Sequence, residues 1–162
     1  VYIYEMRQKS LLALTFLLII YIALPAQEEF LKIDTSIDPR SIKQGEEGTL
    51  KLKITPRSDV KISSYRGFMI KLNDNQNLTF PKVFYTASEL DLQSKQENDT
   101  LVYQFEKEIP IPFKVNTNSL LGKHKISGEI IFTAVFKNNW SIKTYQKFVA
   151  DFSSKRNRKI KK

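Results

Sequence analysis

Residues able to do chemistry are sparse in this chain. Its 162 residues include one histidine, His124, and no cysteine. A metal centre needs three or four convergent His, Cys or carboxylate ligands. His124 stands between Lys123 and Lys125 with no ligand at a matching spacing, and reads as an exposed residue at the entry of a strand. Glu28-Glu29 and Glu46-Glu47 are adjacent pairs. Neighbouring side chains of an extended segment point to opposite faces, so neither pair makes the facing carboxylates of acid–base catalysis. Gly45-x-x-Gly48 is too short and too acidic to cradle phosphate and reads as a turn. Asn77, Asn98 and Asn139 lie in Asn-x-Ser/Thr frames, which accept a glycan only where the machinery exists. With no nucleophile–base pair, facing carboxylates or ligand set, the expectation is a protein that is not an enzyme and holds no cofactor or metal. Recognition chemistry remains. Tyr65, Phe68, Phe80, Phe84, Tyr85, Trp140 and Tyr145 exceed what one strand pair needs in its core, and a partly exposed aromatic cluster is a protein-binding patch.

The elements that must position such a patch read as strands. Thr49 to Ile54 alternates strictly, placing Leu50, Leu52 and Ile54 on one face, and Pro56 ends it. Leu101, Tyr103 and Phe105 alternate in the same way. Ile126 to Phe136 is the longest signal, with Ile131 and Val135 on its second face, which predicts burial on both sides at its centre. Trp140 to Phe152 is its partner. Lys137-Asn138-Asn139 between them predicts a β-hairpin. Shorter strands are expected at 30–37, 60–63, 68–72 and 109–115. Pro110 and Pro112 mark the last as an edge strand or an extended segment, because proline cannot donate to a ladder. Loop signals sit at 38–39, 44–48, 73–75, 93–100 and 116–119, and the one tempting helical piece is 86–93. Seven to nine short strands without a long amphipathic helix predict an all-β, immunoglobulin-like antiparallel β-sandwich; a closed barrel is the alternative.

The ends carry addresses. Val1 to Glu5 precede Met6 and read as an upstream extension of the frame. Arg7 and Lys9 precede an uncharged run of 14 residues, Leu11 to Leu24, followed by Pro25, Ala26 and then Gln27-Glu28-Glu29. This is the layout of a signal-peptide helix, and the run is short of the roughly 20 apolar residues that span a bilayer. Leu24 is bulky for the cleavage motif, so an uncleaved anchor stays open. The expected division is 1–26 extension and signal, 27–152 sandwich, and 153–162 a basic disordered tail. Six of the net nine positive charges lie in that tail, which reads as a solvated terminus or as attachment to an anionic membrane. A periplasmic or secreted location follows, nucleic acid is not an expected partner, and stability must come without disulfides.

The segment Leu121-Gly122-Lys123-His124-Lys125-Ile126-Ser127-Gly128-Glu129-Ile130-Ile131-Phe132-Thr133-Ala134-Val135-Phe136 resembles the penultimate strand region of the N-terminal, immunoglobulin-like domain of the bacterial thiol:disulfide interchange protein DsbD. Ile109-Pro110-Ile111-Pro112-Phe113 and the stretch Gly48 to Ile62 fit the same layout, so the resemblance covers about Ile33 to Val149. In that family the hairpin holds a redox cysteine pair. Here Ala134, Val135, Trp140 and Ser141 occupy that neighbourhood, so disulfide electron transfer is impossible. The resemblance then implies a cysteine-less envelope module that docks a protein partner, thioredoxin-like or a membrane thiol reductase. The expected contact surface is Phe136, Asn138, Asn139, Trp140 and Ile142, with Tyr65 and Phe68 as neighbours. The alternatives are a sandwich that binds carbohydrate or surface polymer through Trp140 and tyrosines, and a structural envelope subunit.

Overall fold

The computed structural model describes residues 28–157; the expected signal peptide or anchor and the end of the basic tail lie outside the described residues. Twelve strands follow in order: β1 Leu31–Asp38, β2 Ser41–Lys43, β3 Glu47–Pro56, β4 Val60–Ile62, β5 Met69–Leu72, β6 Leu78–Thr79, β7 Phe84–Thr86, β8 Ser94–Glu97, β9 Thr100–Tyr103, β10 Ile109–Val115, β11 Gly122–Phe136 and β12 Ser141–Lys155. One sheet has the order β1-β3-β10-β6. The other has the order β2-β12-β11-β5-β7, with β4 also on β11, and β8-β9 is a separate hairpin. The fold is an immunoglobulin-like β-sandwich.

Alternation creates both sheets. Leu50, Leu52 and Ile54 of β3 and Ile109, Ile111, Phe113 and Val115 of β10 are buried, while the residues between them face water. In β11 and β12 the even-numbered residues Ile126, Ile130, Phe132, Ala134, Phe148, Ala150 and Phe152 point inward, and one apolar core draws on both sheets. Each buried Leu, Ile or Phe contributes roughly 1.5–3 kcal/mol. Toward the end of β11, Phe132, Thr133 and Ala134 are consecutively buried, so both faces are covered there, but through Thr133; Ile131 and Val135, on which the expectation rested, are half-buried.

Several expectations change. β10 is not a simple edge: it lies between β3 and β6, but β6 reaches only Lys114 and Val115. Val115 donates its N–H to Glu46 O, so the odd-numbered N–H groups of β10 face β3; those that Pro110 and Pro112 lack would point to the open side and cost no ladder bond. Ser153 to Lys155 are strand rather than tail, because Ser41–Lys43 pairs with them. That pairing is parallel, the one departure from antiparallel order; the chain crosses from the first sheet to the second between Asp38 and Ser41, through a cis Asp38–Pro39 peptide. Residues 93–100, read as a loop, contain β8 and the turn into β9. Asn98 and Asp99 there take φ of 47° and 62°, the geometry of a type I′ hairpin turn.

Residues 86–93 form one helical turn, not a helix. Glu89 accepts from the Thr86 backbone N–H and hydroxyl, which opens the turn as a capping box does. Asp91, at φ 51°, ends it. The Lys82 hydrogen bond, with the Thr86 bonds behind it, lowers the Glu89 pKa from 4.5 to about 2. A carboxylate depressed in the folded state adds stability above its unfolded pKa and loses it as pH falls. Glu89→Gln is therefore expected to flatten the decline of stability between pH 4.5 and 2, read by urea unfolding across that range. A decline identical to that of the wild type would refute the assignment.

Candidate interaction surface

The hairpin joining β11 to β12 forms as predicted. Lys137-Asn138-Asn139 make a three-residue loop: the Asn139 N–H donates to Phe136 O at 2.9 Å and the Phe136 N–H to Trp140 O at 2.9 Å. Asn139 takes the left-handed position at φ 63°, which asparagine tolerates better than most residues. Asn138 turns inward, its Oδ1 accepting from the Trp140 N–H at 3.2 Å.

This loop holds Trp140 in place. The indole is 57% exposed, yet it stacks on Phe136 with centroids 5.2 Å apart at 28°. Phe136 in turn meets Phe30 edge-on at 5.6 Å, and the Arg57 guanidinium lies 5.2 Å over Phe30. A row of contacts thus leads from the buried Phe30 to an exposed indole. Aromatic pairs of this kind add about 0.5–1.5 kcal/mol each beyond area burial, so Trp140 is held ready rather than free. Ile142, opposite Ala134, shares the inward face of Phe148 but remains exposed. The reason lies in the facing sheet. Leu31, the first residue of β1, bonds Gln146 through its backbone N–H at 3.0 Å and through its carbonyl, and β1 runs from there away from the hairpin. The first turns of β12 therefore project past their cover.

The two expected neighbours do not join this surface. Tyr65 is 73% exposed, but it sits in the loop between β4 and β5, on the opposite side of β11 from Trp140. Phe68 is only 2% exposed; Tyr103 at 6.0 Å and Phe105 at 5.4 Å enclose its ring, so it is a core residue and cannot meet a partner.

Sequence reasoning missed the cleft beside the hairpin. About 290 Å³ opens between the β11–β12 loop and the β8–β9 turn, lined by Asp59, Lys61, Glu97, Asn98, Phe136 and Asn139. Both of its carboxylates are ion-paired. Arg57 bonds Asp59 at 2.6 and 2.9 Å and holds its carboxyl below the usual range. Lys61 lies 2.8 Å from Glu97 and does the same there. Lys137 lines the cleft as well, without an ion pair among the described residues, so the cleft is polar and of mixed charge. A larger cleft of about 520 Å³ lies elsewhere, between the Leu90–Gln93 turn and Gln104–Pro110.

His124 is half-buried rather than exposed. Its ring stacks on Phe152 at 5.2 Å, and its Nε2 lies 2.7 Å from Leu120 O and 2.8 Å from Ser154 Oγ. These contacts give it a structural task, holding the loop before β11. Among the described residues no group of three or more His, Cys, Asp or Glu converges as metal ligands would.

No family model matches the sequence, nor does any curated protein sequence. Solved structures share its general arrangement. The major pilin subunit BcpA of Bacillus cereus superposes with a TM-score of 0.41 at 11% identity over 78% of this chain, which spans 40% of that pilin's length. A cohesin module from a Clostridium perfringens family 33 glycoside hydrolase gives 0.36 at 10% identity, covering 78% of this chain and 96% of the module. Murine CRIg gives 0.35 at 8% identity, covering 78% and 99%. Likeness at this level transfers no partner or activity, and the sandwich architecture rests on the strand pairing above.

Proposed function

We propose that this is an exported, non-catalytic protein-interaction module of the cell envelope, and that the Phe136–Ile142 hairpin end is its contact surface. The observation that carries the reading is the exposed Trp140, stacked on Phe136 beside a polar cleft of mixed charge. Interface anchors are typically aromatic side chains set near such polar ground. A side chain held in its rotamer before binding also loses less entropy on association. The DsbD-like pattern of β11 suggests the class of partner: a thioredoxin-fold protein of the envelope, met through contact and without electron exchange.

The test uses the chain from Gln27 to Lys162 and its Trp140→Ala variant as crosslinking baits in envelope extract. The expected result is loss of the specific adduct in the variant, because removing an interface anchor costs about 2 kcal/mol or more, while the melting transition changes little. Equal capture by both baits would contradict the proposal. Retardation of the wild type in polysaccharide gels, lost in the same variant, would instead place Trp140 as a sugar-stacking platform.

A further inference from the structure

At the far end of β11 the chain holds two leucines out to water. Leu120 is 72% exposed and Leu121 49%, and their backbone is fastened. The Leu120 N–H donates to Asn77 Oδ1 at 2.8 Å. Leu120 O accepts from Ser154 Oγ at 2.6 Å and from His124 Nε2 at 2.7 Å. The preceding Ser119 is buried, and its carbonyl accepts from Gln44 Nε2 at 2.7 Å. Gly122 follows at φ 110°. Four segments thus fix a loop whose largest exposed side chains are apolar, with the smaller Thr117 and Asn118 exposed before them.

Cations surround it. Lys123 and Lys125 follow on β11, Lys155 lies at the end of β12 beside Lys43 of β2, and Arg156 comes next. Lys123 and Lys155 have no ion pair among the described residues, whereas Lys125 stands opposite Asp151 and Lys43 is paired with Glu46 at 3.6 Å; cations still outnumber acids at this end. The sequence continues through Arg158, Lys159, Lys161 and Lys162. We infer that this end of the sandwich, with Leu120 and Leu121 at its tip, docks on an anionic lipid surface. Apolar side chains on a basic element enter the boundary between headgroups and acyl chains, and the lysines meet the negative surface. A soluble polyanion would use the same cations but would leave the leucines without a role.

The geometry also sets an orientation. β11 has 15 residues, about 46 Å at ~3.3 Å per residue, so the docked domain presents the Trp140 hairpin away from the bilayer. Among the described residues the core lies between Phe30 and Phe152, so the chain from Gln27 to Lys162 carries it and is the form to test.

The experiment is vesicle co-sedimentation with equal parts phosphatidylglycerol and phosphatidylcholine, against phosphatidylcholine alone, while recording Trp140 emission. Trp140 is the only tryptophan. The expected result is binding to the anionic vesicles only, weakened by salt. In Leu120→Ser/Leu121→Ser it should fall at least about tenfold, given the transfer energy of two leucines, with an unchanged melting transition. Trp140 emission should not shift on binding. No binding to anionic vesicles, undiminished binding by the double variant, or a blue shift of Trp140 would each overturn the inference.

Discussion

Phe113→Ala is expected to lower stability by about 3–5 kcal/mol, the range for a large aromatic removed from a packed core. Phe113 lies on β10 in the first sheet, yet its ring is 5.5 Å from Phe152 of the second sheet and 6.2 Å from Phe80. It is almost wholly buried, so truncation leaves a void between the two sheets rather than at a margin. The ring also fills the space above Gly48, where an added Cβ would come within 2.8 Å of its Cζ. Domains of this size have about 5–15 kcal/mol of stability in all. The variant should therefore melt about 12–20 °C lower, taking about 4 °C per kcal/mol for a domain of this size. Phe113→Leu, which keeps most of the volume, should lose clearly less. Equal losses for the two variants in urea unfolding would show that the ring is not what joins the sheets.

Gly128→Ala is the second large effect. Gly128 pairs with Leu72 on one side and Phe148 on the other. A Cβ there would stand 2.5 Å from Lys71 O and 2.6 Å from Phe148 Cζ. The phenyl ring can turn aside, but the carbonyl belongs to a paired strand, so relief requires β5 to move off β11. Overpacking of this kind costs about 1–3 kcal/mol, and the upper end applies where backbone must shift. Adding Phe148→Leu should recover only part of the loss, since the carbonyl clash remains. Full recovery in the double variant would place the whole conflict in the ring.

Gly128 illustrates what a sequence can and cannot reveal. Its spacing within β11 was visible and contributed to the DsbD-like pattern, but the need for it arises from Lys71 and Phe148, which no local pattern connects. β1, β3, β10, β11 and β12 were legible because their alternation extends over seven or more residues. β2, β6 and β7 have two or three residues each, too few for any period. β8, Ser94–Glu97, is polar and largely exposed on both faces, so its hairpin reads as a loop in the sequence.

The site divided in the same way. Lys137-Asn138-Asn139 announced its turn by composition, and Trp140 followed from it. Phe68 and Trp140 look equivalent as residue types. Burial separates them, and the burial of Phe68 is caused by Tyr103 and Phe105, more than 30 positions away. The stack beneath Trp140 depends on Phe30, from the other end of the chain. Leu120 and Leu121 stood at the border between an expected loop and an expected strand. Their exposure is set by bonds from Asn77 and Ser154 that no spacing rule foresees.

The most direct test of the hairpin as contact surface is site-specific photo-crosslinking in envelope extract. A crosslinking side chain is placed in turn at Asn138, at Ile142, and at Lys53, which faces outward on β3 of the opposite sheet. The account predicts one shared adduct from Asn138 and Ile142 and none from Lys53. The same adduct from all three positions, or one from Lys53 alone, would contradict it.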